Sequence, residues 1–330
     1  MFHPAVIGIT EKILTDPGYV LSSETSCELV RLSEAHFPDV MACADKIRNR
    51  YHKDRVFTCA ITNAKSGFCS EDCAFCAQSS HHHTDIHTYP MVSEEYLVES
   101  AAARQREGAV KFGMVTSGYA NTAAEMTRIC KAAASIRTQT ELGVCASLGM
   151  LNGSTAAQLK GSGVTRYHHN LETARSYFSA VCTTHDYEED VETVRIAKNA
   201  GLEVCSGGIM GLGESWEQRI ELSMTLRELD VDSIPINFLN PVPGTRMGLR
   251  TPLSPQEALR CIALFRFMHP QKDIVICGGR GVTLGDFQSW VFMAGANGLM
   301  IGNYLTTQGR DTRMDMEMIR AMGFEIHRRY

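Results

Sequence analysis

The chain has no uninterrupted apolar stretch approaching the roughly 20 residues that a membrane-spanning helix needs. It has no positive excess either: 32 lysines and arginines stand against 37 aspartates and glutamates, a formal net charge of -5. Without a basic cluster, the electrostatic footprint of a nucleic-acid or anionic-membrane binder is missing. No internal repeat and no low-complexity tract interrupts the sequence. In MFHPAVIGITEKILTDPGYV, Glu11, Lys12 and Asp16 occupy positions that a secretory signal would keep apolar. Twelve cysteines in 330 residues are too dilute for a disulfide scaffold. Together these absences point to a cytoplasmic protein whose thiols are reduced and have a metal or catalytic task.

What is present is alternation. Short β-rich runs fall at 56–62, 109–116, 142–148, 165–172, 202–210, 232–239, 273–279 and 298–302. Amphipathic helical segments separate them, some with clear starts: a Thr122 to Glu125 capping box, and Ser254 as cap before Pro255 with Glu257 closing the box. Others are expected near 155–161, 187–200, 215–229, 283–296 and 313–322. Eight such units predict an α/β fold, a (β/α)8 TIM-type barrel, over residues 55–330. Residues 1–54 read as an N-terminal helical cap, with Thr25 and Glu28 as a capping box and a second helix after Pro38. The stretch 77–92 is the one long connection without a clear element, and such loops tend to be functional.

That loop follows GFCSEDCAFCAQ, which places Cys69, Cys73 and Cys76 just beyond the first strand, on the face where barrel sites are built. Structural zinc sites and iron-sulfur clusters usually take four protein ligands. Three cysteines with one of His81, His82 or His83 would make a zinc site. Three thiolates alone would instead leave one iron of a 4Fe-4S cube open to a small molecule. Elsewhere Cys59, Cys145, Cys205 and Cys277 lie in the first, third, fifth and seventh strands. Alternate strands supply one interior layer of an eight-stranded barrel, so these four thiols could converge on the axis.

CxxxCxxC with Phe75 before the third cysteine resembles the radical S-adenosylmethionine (SAM) enzymes. Four blocks, SGFCSEDCAFCAQSS, YHHNLETA, VCSGGIMGLGE and FMAGANGLMIGNYLTT, narrow the resemblance to the biotin synthase family, between residues 50 and 325. The resemblance implies that Cys69, Cys73 and Cys76 hold a 4Fe-4S cluster whose free iron takes the amine and carboxylate of SAM. It implies dethiobiotin as substrate, with sulfur drawn from an auxiliary cluster inside the barrel. The family's usual auxiliary cluster is 2Fe-2S, held by three cysteines and an arginine. Here Cys145 and Cys205 match, but Gly113 and Val275 stand at the other two positions. Cys59 and Cys277 are expected to replace them, giving a four-iron, four-cysteine site. Cys27, Cys43, Cys130, Cys182 and Cys261 read as packing residues.

By the same resemblance, Phe75 and Ile209 flank the adenine of SAM, and Thr116 lies in the MVTSG segment near its methionyl part. Asn170 and Glu172, two apart on one strand face, serve the cofactor, with Glu172 on the ribose hydroxyls. His185 stands where the family has an arginine near the methionyl carboxylate and is expected to be a pH-dependent substitute. Asn170 and Asn237 are expected to hold the ureido ring, and Thr306 and Thr307 the substrate carboxylate. Arg280 fits either a loop at the barrel mouth or a solvated surface charge. The resemblance also implies a flavodoxin or ferredoxin as electron donor and a homodimer. The alternatives are a sister barrel enzyme of hydrogenase-maturase or methylornithine-synthase type, and a non-catalytic iron-sulfur or zinc protein.

Overall fold

The strand-forming runs pair in parallel all the way round. In a computed structural model describing residues 2–327, the barrel strands are β1 (Arg55–Lys65), β2 (Lys111–Thr116), β3 (Gly143–Ser147) and β4 (Arg166–His168), then β5 (Glu203–Cys205), β6 (Gly208–Met210), β7 (Ser233–Phe238), β8 (Asp273–Ile276) and β9 (Gly298–Met300). Each pairs with the next around the ring, except that β5 and β6 both pair with β7, and β9 pairs back onto β1 through Thr58 and Leu299, closing the barrel. Residues 328–330 of the expected 55–330 segment, and Met1 of the cap, lie outside the described residues. A short β10 (Glu325–Ile326) adds to the start of β1 outside the ring.

Nine strands fill eight positions because the expected strand at 202–210 is two pieces. The register is kept: Cys205 faces Ser233 and Gly208 faces Ile236. Opposite the gap sits Pro235, which has no N–H to give the ladder. Gly207 lies so close to it that a Cβ there would come within 2.0 Å of the Pro235 carbonyl oxygen. The strand expected over 165–172 is also shorter, ending at His168. Beyond it Glu172 takes a φ of +60° and makes an isolated bridge to Gly208.

At the N-terminus, α1 (Pro4–Thr15), α2 (Ser23–Ala35) and α3 (Phe37–His52) precede the barrel. The cap of α2 is Ser22, accepting from the Thr25 N–H, so Thr25 lies inside the helix rather than capping it. These helices bury Val6, Ile13, Leu29, Val40 and Ile47 in one apolar cluster with Ile220, Leu264 and Phe267 from the barrel's helices Trp216–Glu228 and Pro255–Met268. Each such side chain contributes about 1.5–3 kcal/mol on burial, which fastens the cap to the barrel wall.

The Thr122 to Glu125 box forms as expected. Ser254 accepts from the Glu257 N–H, but the Glu257 carboxylate turns to Arg219 instead of closing a box. The helix expected over 283–296 is broken into Arg280–Leu284, a 3-10 turn Gly285–Phe287, and Trp290–Met293. Gly285, at φ +50°, ends the first piece. Arg280 is not a solvated charge: it follows the cavity-lining Gly278 and Gly279, is 1% exposed and pairs with Asp315 and Gln288. No helix among the described residues is long and apolar enough to cross a membrane.

Candidate active site

The cysteine loop leaves the end of β1 and is pinned by its neighbours on three sides. Asn63 and the Gly67 N–H both donate to Gln78 Oε1, folding the loop back on itself. The Ala74 N–H donates to Val181 O, and the Met247 N–H to Ala74 O, which ties the motif to the loops after β4 and β7. Asp72 accepts from the Thr183 N–H and hydroxyl at 2.8 and 2.6 Å. Held this way, Cys69, Cys73 and Cys76 line the mouth of a cavity of about 450 Å³ inside the barrel. Among the described residues His81, His82 and His83 do not line it; His81 and His82 bond the backbone carbonyls of Ser70 and Cys76.

Deeper in the same cavity lie Cys59, Cys145, Cys205 and Cys277. Cys59 packs against the apolar cluster that holds Cys277, and the neighbouring thiol together with burial holds the Cys277 pKa well up. Burial likewise pushes Cys145 up to about 11, against the pull of Arg166 and Lys111. Cys145, Cys205 and Cys277 are therefore held toward their protonated forms until a metal displaces the protons. Gly113 faces Cys145 across the β2–β3 ladder, and a Cβ there would sit 3.2 Å from Ile61 Cγ2. Val275 is buried beside this layer and offers no donor.

The same cavity is also lined by Phe75, Thr116, Asn170, Glu172, His185, Ile209, Asn237, Thr306 and Thr307. Phe75 and Ile209 pack against the same apolar cluster at the mouth. Asn170 and Glu172 come together not along a strand but through a bend, with Asn170 Nδ2 donating to Glu172 Oε2 at 3.3 Å. The Gly207 N–H donates to Asn170 Oδ1, while Asn237 Nδ2 donates to the Gly208 carbonyl. Both amides are thus aimed by the glycine pair that splits the fifth strand. A Cβ at Gly208 would meet Glu172 O at 2.5 Å, so the crossing needs glycine.

Burial raises the Glu172 pKa to about 7. His185 behaves oppositely to the sequence expectation of a readily titrating group. Burial lowers its pKa, but hydrogen bonds to Asp190, Cys182 and Glu71 outweigh that and raise it to about 11. Its Nδ1 meets Glu71 Oε2 at 2.7 Å and its Nε2 meets Asp190 Oδ2 at 3.3 Å, so both ring nitrogens are engaged.

Residues 64–226 match the Radical SAM superfamily, and residues 235–325 match the Biotin and Thiamin Synthesis associated domain. A biotin synthase of Syntrophus aciditrophicus is 58% identical over 313 residues, covering 95% of this chain and 96% of that one. The chain belongs to the biotin synthase family. A family member from Nitratidesulfovibrio vulgaris strain Miyazaki F is 53% identical over 92% of this chain and 86% of its own. Among solved structures, a methylornithine synthase superposes with a TM-score of 0.83 at 20% identity, covering 97% of both chains. A maturase of the [FeFe]-hydrogenase gives 0.84 at 14% identity over 98% of this chain and 76% of that one. At such identities these two share the fold alone.

Among the residues of this family member's cavity that sequence did not mark are Cys182, Lys111 and Arg166. Cys182, read as packing, has its Sγ 3.8 Å from Cys73 Sγ and 3.4 Å from His185 Nδ1. The hydrogen bond with Cys73 leads the causes that lower its pKa to about 4. Its proximity to His185 in VCTTHDY was the available signal. Lys111 and Arg166 are 3% and 5% exposed and line the cavity beside the inner thiols. Each is a lone cation inside a β-rich run, AVKFGMVT and TRYHHNLE, a pattern that usually marks a charge with an interior partner.

Proposed function

We propose that the protein converts dethiobiotin to biotin with the two thiol groups in separate tasks, Cys69, Cys73 and Cys76 holding a SAM-binding 4Fe-4S cluster and Cys59, Cys145, Cys205 and Cys277 holding the sulfur-donating one. The observation that carries this reading is that both groups open into one cavity that the Asn170 and Asn237 amides also line. With SAM and an electron, the mouth cluster supplies a 5'-deoxyadenosyl radical that removes hydrogen from an unactivated C–H bond, and the inner cluster supplies sulfur.

The donor sets suit these groups. Three thiols on a pinned loop, with none of the loop's own His81, His82 and His83 lining the cavity, fit a cluster with one open coordination position better than a closed zinc site. The inner set favours a four-iron, four-thiolate type over the 2Fe-2S form. No arginine is available as the fourth ligand there: Val275 is apolar, and Arg166 Nε and a terminal nitrogen are both 2.9 Å from Glu203. The chain's own contribution is to bind, orient and exclude water. Asn170 and Asn237 each present an amide able to pair with the N–H and C=O of a cyclic urea. Glu172, once ionised, accepts from ribose hydroxyls, and Phe75 and Ile209 offer apolar faces to the adenine. Thr116 lies toward the methionyl part, Thr306 and Thr307 toward the substrate carboxylate. His185 acts by holding Glu71 and Asp190 in place beside the methionyl group rather than as a free cation. A flavodoxin or ferredoxin serves as electron donor, and the enzyme works as a cytoplasmic homodimer.

The test is anaerobic reconstitution followed by product analysis. Biotin should form with dethiobiotin, SAM and a reductant, and 5'-deoxyadenosine should appear only when dethiobiotin is present. A Cys69→Ala, Cys73→Ala, Cys76→Ala variant should make neither. Deoxyadenosine formed without substrate at the full rate, or no biotin from a fully loaded protein, would overturn the reading.

A further inference from the structure

Lys111 and Arg166 face the inner thiols from the even strands between them. In register, Lys111 is the β2 partner of Cys59 on β1, and Arg166 is the β4 partner of Cys145 on β3. Both line the cavity and are almost completely buried. Their counter-charges lie elsewhere. Glu203 is 44% exposed at its side chain, pairs with both cations, and does not line the cavity; nor does Asp273, 3.8 Å from Arg166. The barrel floor is therefore polarised, with cations toward the thiols and carboxylates toward its outer end.

The cost of that arrangement needs an explanation. Burying an ammonium and a guanidinium is expensive even with partial pairing, and apolar side chains would close a barrel floor more cheaply. The floor uses apolar residues where it can: Phe57 packs in the same region with Val275, Cys59 and Cys277. A ligand that brings negative charge into the layer offsets the expense. Four thiolates around a four-iron core of charge +2 leave an assembly of about -2, by the ordinary formal charges of such centres. Two fixed cations at its edge match that charge.

We propose that Lys111 and Arg166 are the charge-compensating residues of the inner cluster, holding its thiolates ionised and raising its reduction potential, with Glu203 tuning them from the outer side. The proposal rests on the four-thiolate reading of Cys59, Cys145, Cys205 and Cys277. The direction follows from Coulomb's law in a weakly screened interior. Adding an electron to a cluster beside two cations is easier than beside none, and weakening the outer carboxylate makes it easier still.

The experiment isolates the inner cluster in the Cys69→Ala, Cys73→Ala, Cys76→Ala background and reads iron and sulfide per chain, the Mössbauer spectrum and the reduction potential. Arg166→Gln and Lys111→Met should each lower the potential, Arg166→Lys should restore most of it, and Glu203→Gln should raise it. Opposite signs for Arg166→Gln and Glu203→Gln matter, because both remove the same ion pair and a purely structural role would move them alike. If Arg166→Gln loses the inner iron while keeping its circular dichroism, recovery of iron in Arg166→Lys supports the proposal. Unchanged potentials in all three variants, or equal shifts of one sign, would overturn it. The four-thiolate reading is judged separately: a Cys277→Ser variant with undiminished iron removes that reading, while the potentials still decide the role of the cations.

Discussion

Cys59 packs against the apolar cluster that holds Cys277, across the β9 strand that separates their own strands in the ring. Interior side chains of alternate barrel strands meet this way on the axis. A pair from the first and seventh strand positions would therefore add two donors to a metal centre shared with Cys145 and Cys205.

Replacing Cys59 or Cys277 with serine should lower iron and sulfide per chain and leave the mouth cluster in place. SAM cleavage should persist, while biotin formation falls by more than roughly 100-fold, beyond the usual effect of losing an outer-shell partner. Iron analysis beside separate assays of 5'-deoxyadenosine and biotin checks this. Equal losses in both products would mean that the two thiol groups are not independent.

Glu172 links cofactor binding to pH. Its pKa is raised to about 7, so the carboxylate that we propose accepts ribose hydroxyls is the form present above that value. SAM affinity should rise as pH increases from 6 to 8 by up to about ten-fold, the range of one pKa unit. Glu172→Gln should bind SAM more weakly at pH 8 and show little pH dependence. Calorimetric titration of the anaerobic holoprotein measures both. The sign for stability is the reverse: a raised carboxyl pKa disfavours the folded state once the unfolded chain ionises, from pH 4.5 upward. Glu172→Gln should therefore stabilise the fold more at pH 8 than at pH 4.5.

His185 is held as a cation between Glu71 and Asp190. Its pKa lies above the ordinary 6.5, at about 11, so its stabilising contribution is complete below pH 6.5 and is lost as pH rises toward 11. Denaturant unfolding at a series of pH values should show that decline, with a shallower one in His185→Gln. The variant leaves two carboxylates facing each other without a cation, so its deficit should shrink as they protonate in acid. Identical pH profiles for the two proteins would remove His185 from this role.

Asp315 accepts from both Arg280 and Arg310 and is fully buried. Asp315→Asn leaves the Arg280 guanidinium enclosed without its counter-charge, and breaking such a pair costs about 3–5 kcal/mol. Urea unfolding should show that loss with the two thiol groups intact by iron count. A change under about 1 kcal/mol would mean that Gln288 and the Met300 carbonyl suffice for Arg280.

Much of the function was readable before folding because its chemistry is local. Three cysteines within eight residues define one donor set wherever the chain goes, and alternating β and helical periods make a parallel barrel the economical closure. The odd-strand cysteines were also legible, since a barrel turns strand number into side-chain direction. Local pattern misled where long-range geometry overrides it. Pro235 breaks the strand pairing at Gly207, and Glu172 reaches Asn170 through a left-handed bend that no two-residue spacing encodes.

The linear sequence by itself determined the barrel class and the family and nominated the thiols proposed as metal donors, because these depend on residue type, spacing and period. Only the tertiary structure decided which charges face those donors. Lys111, Arg166, His185 and Cys182 are unremarkable in the chain. Their environments come from partners such as Glu203, Glu71 and Cys73, brought near by strand order and loop docking. Electrostatic fields depend on distance in space and on burial, and neither is a property of sequence separation.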